Sequence, residues 1–362
     1  MSYPFLSLGF NSWTQKFSRG GPPVIIQALL EYVTTTVSSF TLRAFGTVNY
    51  TVDWGDGTVE TLTTTAPTHN YSSAGSYTIK ITPAEGSIYR PYFNNAVSDT
   101  SIASVSGSGG SQLGTNLLDA WEGATNMTSF SGDIDTSSVT IFYQAWRSCS
   151  KLTSFPLIDT SSGTNFQGAW RDCSSLTSFP QLDTSSCTGT GFSYAWYNCS
   201  KLTSFPLIDT SSGTNFQWAW YNCRLLTSFP LIDTSNATNF YSAWNNCTYL
   251  TSFPQLDTSN VTYFGPTWYR CENLTTFPVL NYSSISSNES FNFDNTWLDC
   301  KLSPQSIENI LVPLDNTGTV NNRLRLENVN LGNNAGYSTW TAAAQTALAN
   351  LQAKGWTISY NP

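Results

Sequence analysis

The 362-residue chain carries a formal net charge of −8, yet only 10% of its residues are Asp, Glu, Lys or Arg, while 14% are aromatic and 40% hydrophobic. Roughly a quarter of an ordinary globular chain is charged, so Ser, Thr, Asn and Gln must cover most of this surface. With no basic run, binding to nucleic acid by counterion release is disfavoured. No run approaches the roughly 18 apolar residues of a membrane span, so no membrane insertion is expected.

From the N-terminus, MSYPFLSLGFNSWTQKFSRGG lacks the basic start and apolar stretch of a secretory signal. The expectation is a protein made in a cytoplasm that stays there, or leaves by lysis or a dedicated route. Residues 1–35 read as an arm or linker with a break at Gly20-Gly21-Pro22-Pro23. Such an arm would attach the chain to a larger assembly. Between 36 and 98, the segments Tyr50–Trp54 and Tyr77–Ile81 alternate as half-buried strands do, and Asp56-Gly57 marks a hairpin turn. The run Trp54-Gly55-Asp56-Gly57, followed by His69, Tyr71, Gly75 and Tyr77, resembles PKD-type immunoglobulin-like β-sandwiches. That resemblance implies a spacer, which here would also cap the open first coil of the region that follows.

Over 99–302 the chain repeats L-T-S-F-P-x-[LI]-D-T-S-x-x-T-x-F-x-x-A-W-x-x-C at intervals of 24 residues, apart from one insertion that lengthens a repeat to 26 and a looser last one of 29. Cysteines fall at 149, 173, 199, 223, 247, 271 and 300, each three residues after a Trp, and Trp121 belongs to a degenerate earlier copy. One such unit cannot bury its own apolar side chains, so about eight coils must stack around a shared core. Leu152, Phe155 and Ile158 form one apolar series. Phe166, Trp170 and Cys173 form another at i, i+4, i+7, the spacing of one helical face. Each coil is therefore expected to hold a short strand at L-T-S-F and a turn of helix at F-x-x-A-W-x-x-C. Pro should end the strand, because it has no N–H to give to a stacked ladder. The D-T-S that follows is turn and cap chemistry.

The segments DTSNVTYFGPTWYRCENLTTF and DTSNATNFYSAWNNCTYLTSF resemble BspA-type leucine-rich repeats of bacterial surface proteins, with Ala-Trp where that family has Met-Phe. The resemblance covers roughly residues 100–300 and implies adhesion or partner binding rather than catalysis. After residue 303 the pattern changes. Ser303-Pro304 opens a helix as cap and first residue, RLRLENV reads as a strand, and an Ala-rich helix from Trp340 to Lys354 stops at Gly355 before the strand WTISY. The expected fold is mainly β with short helices: an immunoglobulin-like sandwich at 36–98, a leucine-rich-repeat solenoid at 99–302 and an α/β cap at 303–362.

No residue set stands out for catalysis, a metal or a cofactor. The cysteine row lacks a C-x-x-C pair or a nearby His and reads as buried, reduced thiols acting as small hydrophobes. His69, the single histidine, reads as part of the sandwich. The row Asp135, Asp159, Asp183, Asp209, Asp233 and Asp257 reads as turn capping, with calcium between coils as the alternative, and Asp53 and Asp56 are weighed likewise. Specificity should lie where the repeat varies. Tyr194 and Trp218 occupy one slot of adjacent coils and are expected to form an exposed stack. Arg147, Arg171, Tyr197, Tyr221 and Tyr269 follow the Trp, and Gln181 and Gln255 follow the Pro. Exposed aromatics with such neighbours suit a glycan or protein partner.

The functional expectation is a non-enzymatic surface component of a bacteriophage particle: a tail-fibre, receptor-binding or capsid-decorating protein. Its arm would contact other virion proteins, and its repeats a host-surface glycan or protein. A bacterial surface adhesin is the second reading and a glycan-degrading fibre enzyme the third. Oligomeric state is left open.

Overall fold

The computed structural model describes residues 29–85, 87–94, 100–285, 292–293, 295–327 and 334–362. Most of the expected arm, residues 1–28, lies outside the described residues.

Six strands open the chain: β1 (Leu29–Thr34), β2 (Val37–Thr41), β3 (Tyr50–Asp53), β4 (Val59–Leu62), β5 (Thr68–Gly75) and β6 (Thr78–Pro83). With β7 (Ile102–Gln112) and β8 (Ser129–Asp135), four of them build a six-stranded sheet of order β4-β3-β6-β1-β7-β8, while β2 and β5 pair separately. Period-two alternation sets the inner face: Leu30 and Tyr32 of β1 and Ile79 and Ile81 of β6 are buried, and their neighbours along each strand are less so. Phe93 joins the two sheets, its ring 5.6 Å from Tyr32 and 6.3 Å from Phe40. The division at residue 35 needs correcting, because Leu29–Thr34 is an inner strand with Tyr32 opposite Ile79 on one side and Val105 on the other. The buried alternation of those six residues is masked in sequence by the apolar run before them.

The same sheet leads directly into the repeats. Strand β7 pairs antiparallel with β1 and parallel with β8, so Val105 faces Phe130 as the first stacked pair. At their closest approach Gly132 adopts φ +87°, and a side chain there would collide with the Gly107 carbonyl. Only glycine is tolerated where two backbones come this near.

Eight tryptophans then stack in one file, Trp121, Trp146, Trp170, Trp196, Trp220, Trp244, Trp268 and Trp297, with neighbouring rings 5.2–6.0 Å apart. A parallel file of Phe155, Phe179, Phe205, Phe229, Phe253 and Phe277 meets them edge to face. The eight indole N–H groups are buried without an oxygen or nitrogen acceptor. The perpendicular phenyl rings pack against the indoles with centroids 4.7–4.8 Å apart.

The coil backbone departs from the expected strand and helix. Ala145, Arg147 and Cys149 donate N–H to Phe142, Gln144 and Trp146 of their own coil, whereas Phe142, Gln144, Trp146 and Ser148 donate to Asn165, Gln167, Ala169 and Arg171 of the next. The segment is a spiral of overlapping turns with left-handed residues such as Gln144 (φ 51°) and Ser148 (φ 62°), repeated at Tyr194, Asn198, Trp218 and Asn222. A helix would spend every N–H inside itself. The spiral spends every second one on its neighbour, and it still turns Phe, Trp and Cys inward at the same spacing. At L-T-S-F, a full strand forms only in β8, where Ser131 stands in place of Pro and keeps its N–H. In later coils a single backbone bond remains and a threonine hydroxyl joins it, as where Thr177 N–H and Oγ1 both donate to the Thr153 carbonyl, at 3.0 and 3.1 Å.

The C-terminal part holds α1 (Pro304–Asp315), α2 (Ala342–Ala353) and a parallel sheet of β9 (Asn292–Phe293), β10 (Arg323–Leu326) and β11 (Thr357–Tyr360) in the order β11-β10-β9. Ser303 caps α1 and Thr341 caps α2, each accepting from the N–H three residues on. Helix α1 closes the last coil by supplying hydrogen bonds that a further coil would supply. Phe277 N–H donates to Ser306 Oγ at 2.9 Å and Asn309 Nδ2 to the Phe277 carbonyl at 2.8 Å.

Candidate binding face on the turn spiral

In the coil Phe216–Cys223, the side chains of Phe216, Ala219, Trp220 and Cys223 point into the core, and Trp218, Tyr221 and Asn222 are left partly exposed. Stacking turns each outward position into a row along the repeat axis. The row immediately after the Trp runs Glu122, Arg147, Arg171, Tyr197, Tyr221, Asn245, Tyr269, and the left-handed row runs Asp119, Gln144, Gly168, Tyr194, Trp218, Ser242.

These rows converge on an aromatic cluster. Tyr194 and Trp218 stack with centroids 6.0 Å apart and planes within 5°, and Tyr197 stacks on Tyr221 at 4.8 Å. Trp218 also meets Tyr221 at 4.9 Å and Tyr241 at 5.4 Å, and Tyr241 stacks on Tyr263 at 5.2 Å. At the opposite end the Arg171 guanidinium lies 4.8 Å from the Tyr197 ring centre and 5.4 Å from that of Tyr194, with its Nε 3.3 Å from Asp172. Rings stacked on each other present edges outward, so open faces occur only where the file is interrupted. Gly168 is such an interruption, and there the Arg171 guanidinium lies over the Tyr194 face.

Other sequence candidates lie apart. Arg147 is held by Glu122 at 2.8 Å and Gln144 at 3.1 Å. Tyr269 is half-buried two coils beyond Tyr221, separated from it by buried Asn245. Gln181 and Gln255 are exposed on the segment after the Pro, in a row with exposed Leu157, Leu207 and Leu231 rather than with the aromatics.

Sequence reasoning missed a second row. Asn198, Asn222 and Asn246 precede their cysteines and form an amide ladder: Asn198 donates to Asp172 at 2.9 Å, and Asn222 and Asn246 each donate to the preceding Asn at 2.5 Å. Arg224 Nε also donates to Asn222 at 2.7 Å. The recurring N-C dipeptide was a visible signal, absorbed into the structural frame because it recurs with the cysteines.

The frame itself is chemically quiet. All eight cysteines are buried and none is in a disulfide. The seven repeating thiols donate to the Trp carbonyl of the preceding coil, as from Cys173 to Trp146 at 3.2 Å. Burial pushes the thiols of Cys173, Cys199, Cys223, Cys247, Cys271 and Cys300 far up from their ordinary range, and that of Cys187 up to about 12. Each repeating Asp accepts the N–H two residues on at 2.9–3.0 Å, the turn-capping role. In the sheet domain His69 stacks on Trp54 at 5.0 Å and lies 2.8 Å from Asp56, and that hydrogen bond with the one from Thr58 holds the Asp56 carboxyl down at about 2.

No protein-family model matches the chain, and no curated protein matches its sequence. The functional reading therefore rests on the rows themselves: a buried frame that repeats, and an outward face that varies along its length.

Proposed function

We propose that this is a non-enzymatic recognition protein whose turn-spiral face binds a ligand on a bacterial cell, carried as a surface component of a bacteriophage particle. The observation that carries this reading is the half-exposed cluster of Tyr194, Tyr197, Trp218 and Tyr221, closed at one end by Arg171. Rigid aromatic side chains with a polar tip give large contact area at low entropic cost. A leucine-rich-repeat solenoid of the BspA type, fronted by a PKD-type spacer, is the architecture in which such a face would be displayed. Eight buried cysteines outside any disulfide fit folding in a reducing compartment, as for a particle assembled inside a cell.

Two measurements test the reading. Mass spectrometry of purified particles should find the chain, and its absence there would remove the virion setting. Binding of the purified protein to a panel of bacterial cells should fall about tenfold or more in Trp218→Ala, as for a central aromatic anchor. Unchanged binding in both Trp218→Ala and Tyr194→Ala would remove the face.

A further inference from the structure

The position directly after the Pro of each S-F-P makes a row that the aromatic face does not use: Leu157, Gln181, Leu207, Leu231, Gln255 and Val279. The Phe before that Pro and the Leu or Ile after this position turn inward, so the side chain between them points out. The N–H groups of Leu182, Ile232 and Leu256 donate to the Pro180, Pro230 and Pro254 carbonyls at 3.0–3.1 Å, which makes the intervening residue the tip of a three-residue turn. Stacking raises these tips into a crest along the repeat axis. Leu157 is 67% exposed, Leu207 55%, Leu231 63% and Val279 47%, and both glutamines are exposed with them. A continuous apolar row held out in water marks a contact surface.

The crest has two unlike flanks. Two residues after it runs the exposed carboxylate row from Asp159 to Asp257. Each Asp spends Oδ1 on its own turn, and among the described contacts its Oδ2 accepts nothing. Three residues before the crest run exposed serines, from Ser154 to Ser252, whose hydroxyls donate to nothing among those contacts. Acceptors therefore follow one side of the crest and donors the other.

This arrangement fits a second copy of the same chain. A two-fold axis running along the crest sets each layer against itself and exchanges the flanks. Leucine then meets leucine, and each glutamine amide both donates to its counterpart and accepts from it. The Asp row of each copy comes to lie beside the other copy's serines. The order apolar-Gln-Leu-Leu-Gln-apolar reads alike in both directions, so antiparallel copies would also match layer for layer. They would set Asp row against Asp row, and like charges lined up across a contact are costly. At roughly 100 Å² of accessible side chain per position, the crests of two copies would together remove on the order of 1,200 Å² from water, the lower end of what a specific pair buries.

We propose that the crest is the contact of a parallel homodimer whose two-fold axis runs along the repeats. The aromatic cluster lies in other rows, so a pair displays two of them, and the proposal does not depend on what they bind.

Sedimentation equilibrium of the full chain tests it. A contact of this size should give a dimer with a dissociation constant on the order of micromolar. Leu231→Asp should raise that constant about hundredfold, because the axis loses the contact twice and gains two facing carboxylates. The melting temperature of this variant, measured on dilute monomer, should match that of the parent, since the Leu231 side chain lies outside the core. Gln181→Cys should yield a disulfide-linked dimer on mild oxidation, the native cysteines being buried out of reach. A chain still monomeric at about a hundred times the expected constant, a trimer, or full dimerisation of Leu231→Asp would overturn the proposal. Failure of Gln181→Cys to cross-link would do the same, as would a disulfide formed only on mixing it with Gln255→Cys, the mark of antiparallel copies.

Discussion

The N-terminal sheet domain and the stacked coils bury their aromatic rings in opposite ways. In the sheet domain, strands far apart in sequence meet once, and each ring has its own surroundings: Tyr32 against Phe93, Trp54 under His69, Tyr71 on Tyr77. In the coils each ring meets its own copy one repeat away, so the same contact recurs seven times along the tryptophan file. Unique contacts specify a register. Repeated ones do not, since a slip by a whole coil would restore nearly every internal contact. The ends must therefore set the register, through β7 paired to β1 and through α1 on Phe277.

The largest test of this contrast is Trp220→Ala. Its ring contacts Trp196, Trp244, Phe205 and Phe229, so urea unfolding should show a loss of about 3–5 kcal/mol, the usual cost of emptying a large aromatic site. A loss under about 1 kcal/mol would mean that the coils do not share one core. A smaller effect follows from the left-handed row. Gly168 has φ +63°, and Gly168→Ala should cost about 1–2 kcal/mol. Ser148→Gly, at φ 62°, should gain about 0.5 kcal/mol, because strain relief slightly exceeds the added chain entropy. Opposite signs at two left-handed positions of the spiral would establish that strain there resides in the backbone and not in side-chain contacts.

The subtlest test lies at the junction of the two regions. Asn94 N–H donates to the Asp119 carbonyl at 3.3 Å. Burial, with Glu122 nearby, raises the Asp119 carboxyl to about 6 against the opposing pull of Arg147. A raised carboxyl favours the folded state while it holds its proton in both states, below about pH 4. That contribution is lost as pH rises toward 6. Thermal melts should therefore show Asp119→Asn matching the parent near pH 4 and exceeding it above pH 6. Parallel melting curves across that range would contradict the assignment.

Much of this was legible in the residues. The period, the buried Trp, Phe and Cys files, the capped helices α1 and α2 and the stacking of Tyr194 on Trp218 all follow from which side chains recur and at what spacing. The amide ladder was not legible, because Asn198, Asn222 and Asn246 meet one another only when successive coils stack. Gln181 and Gln255 vary along the sequence just as Tyr194 and Trp218 do. Their separation from the aromatics depends on which side of the coil each segment occupies.

By itself the sequence determined the number of coils and which side chains are buried, since a 24-residue unit has no other way to hide a Phe, a Trp and a Cys. Tertiary structure alone decided the backbone route. Spacing reports where side chains point, and both a helix and a turn spiral satisfy i, i+4, i+7. The choice fell to the spiral because every second N–H finds its acceptor on the neighbouring coil, a partner that no local stretch of sequence contains.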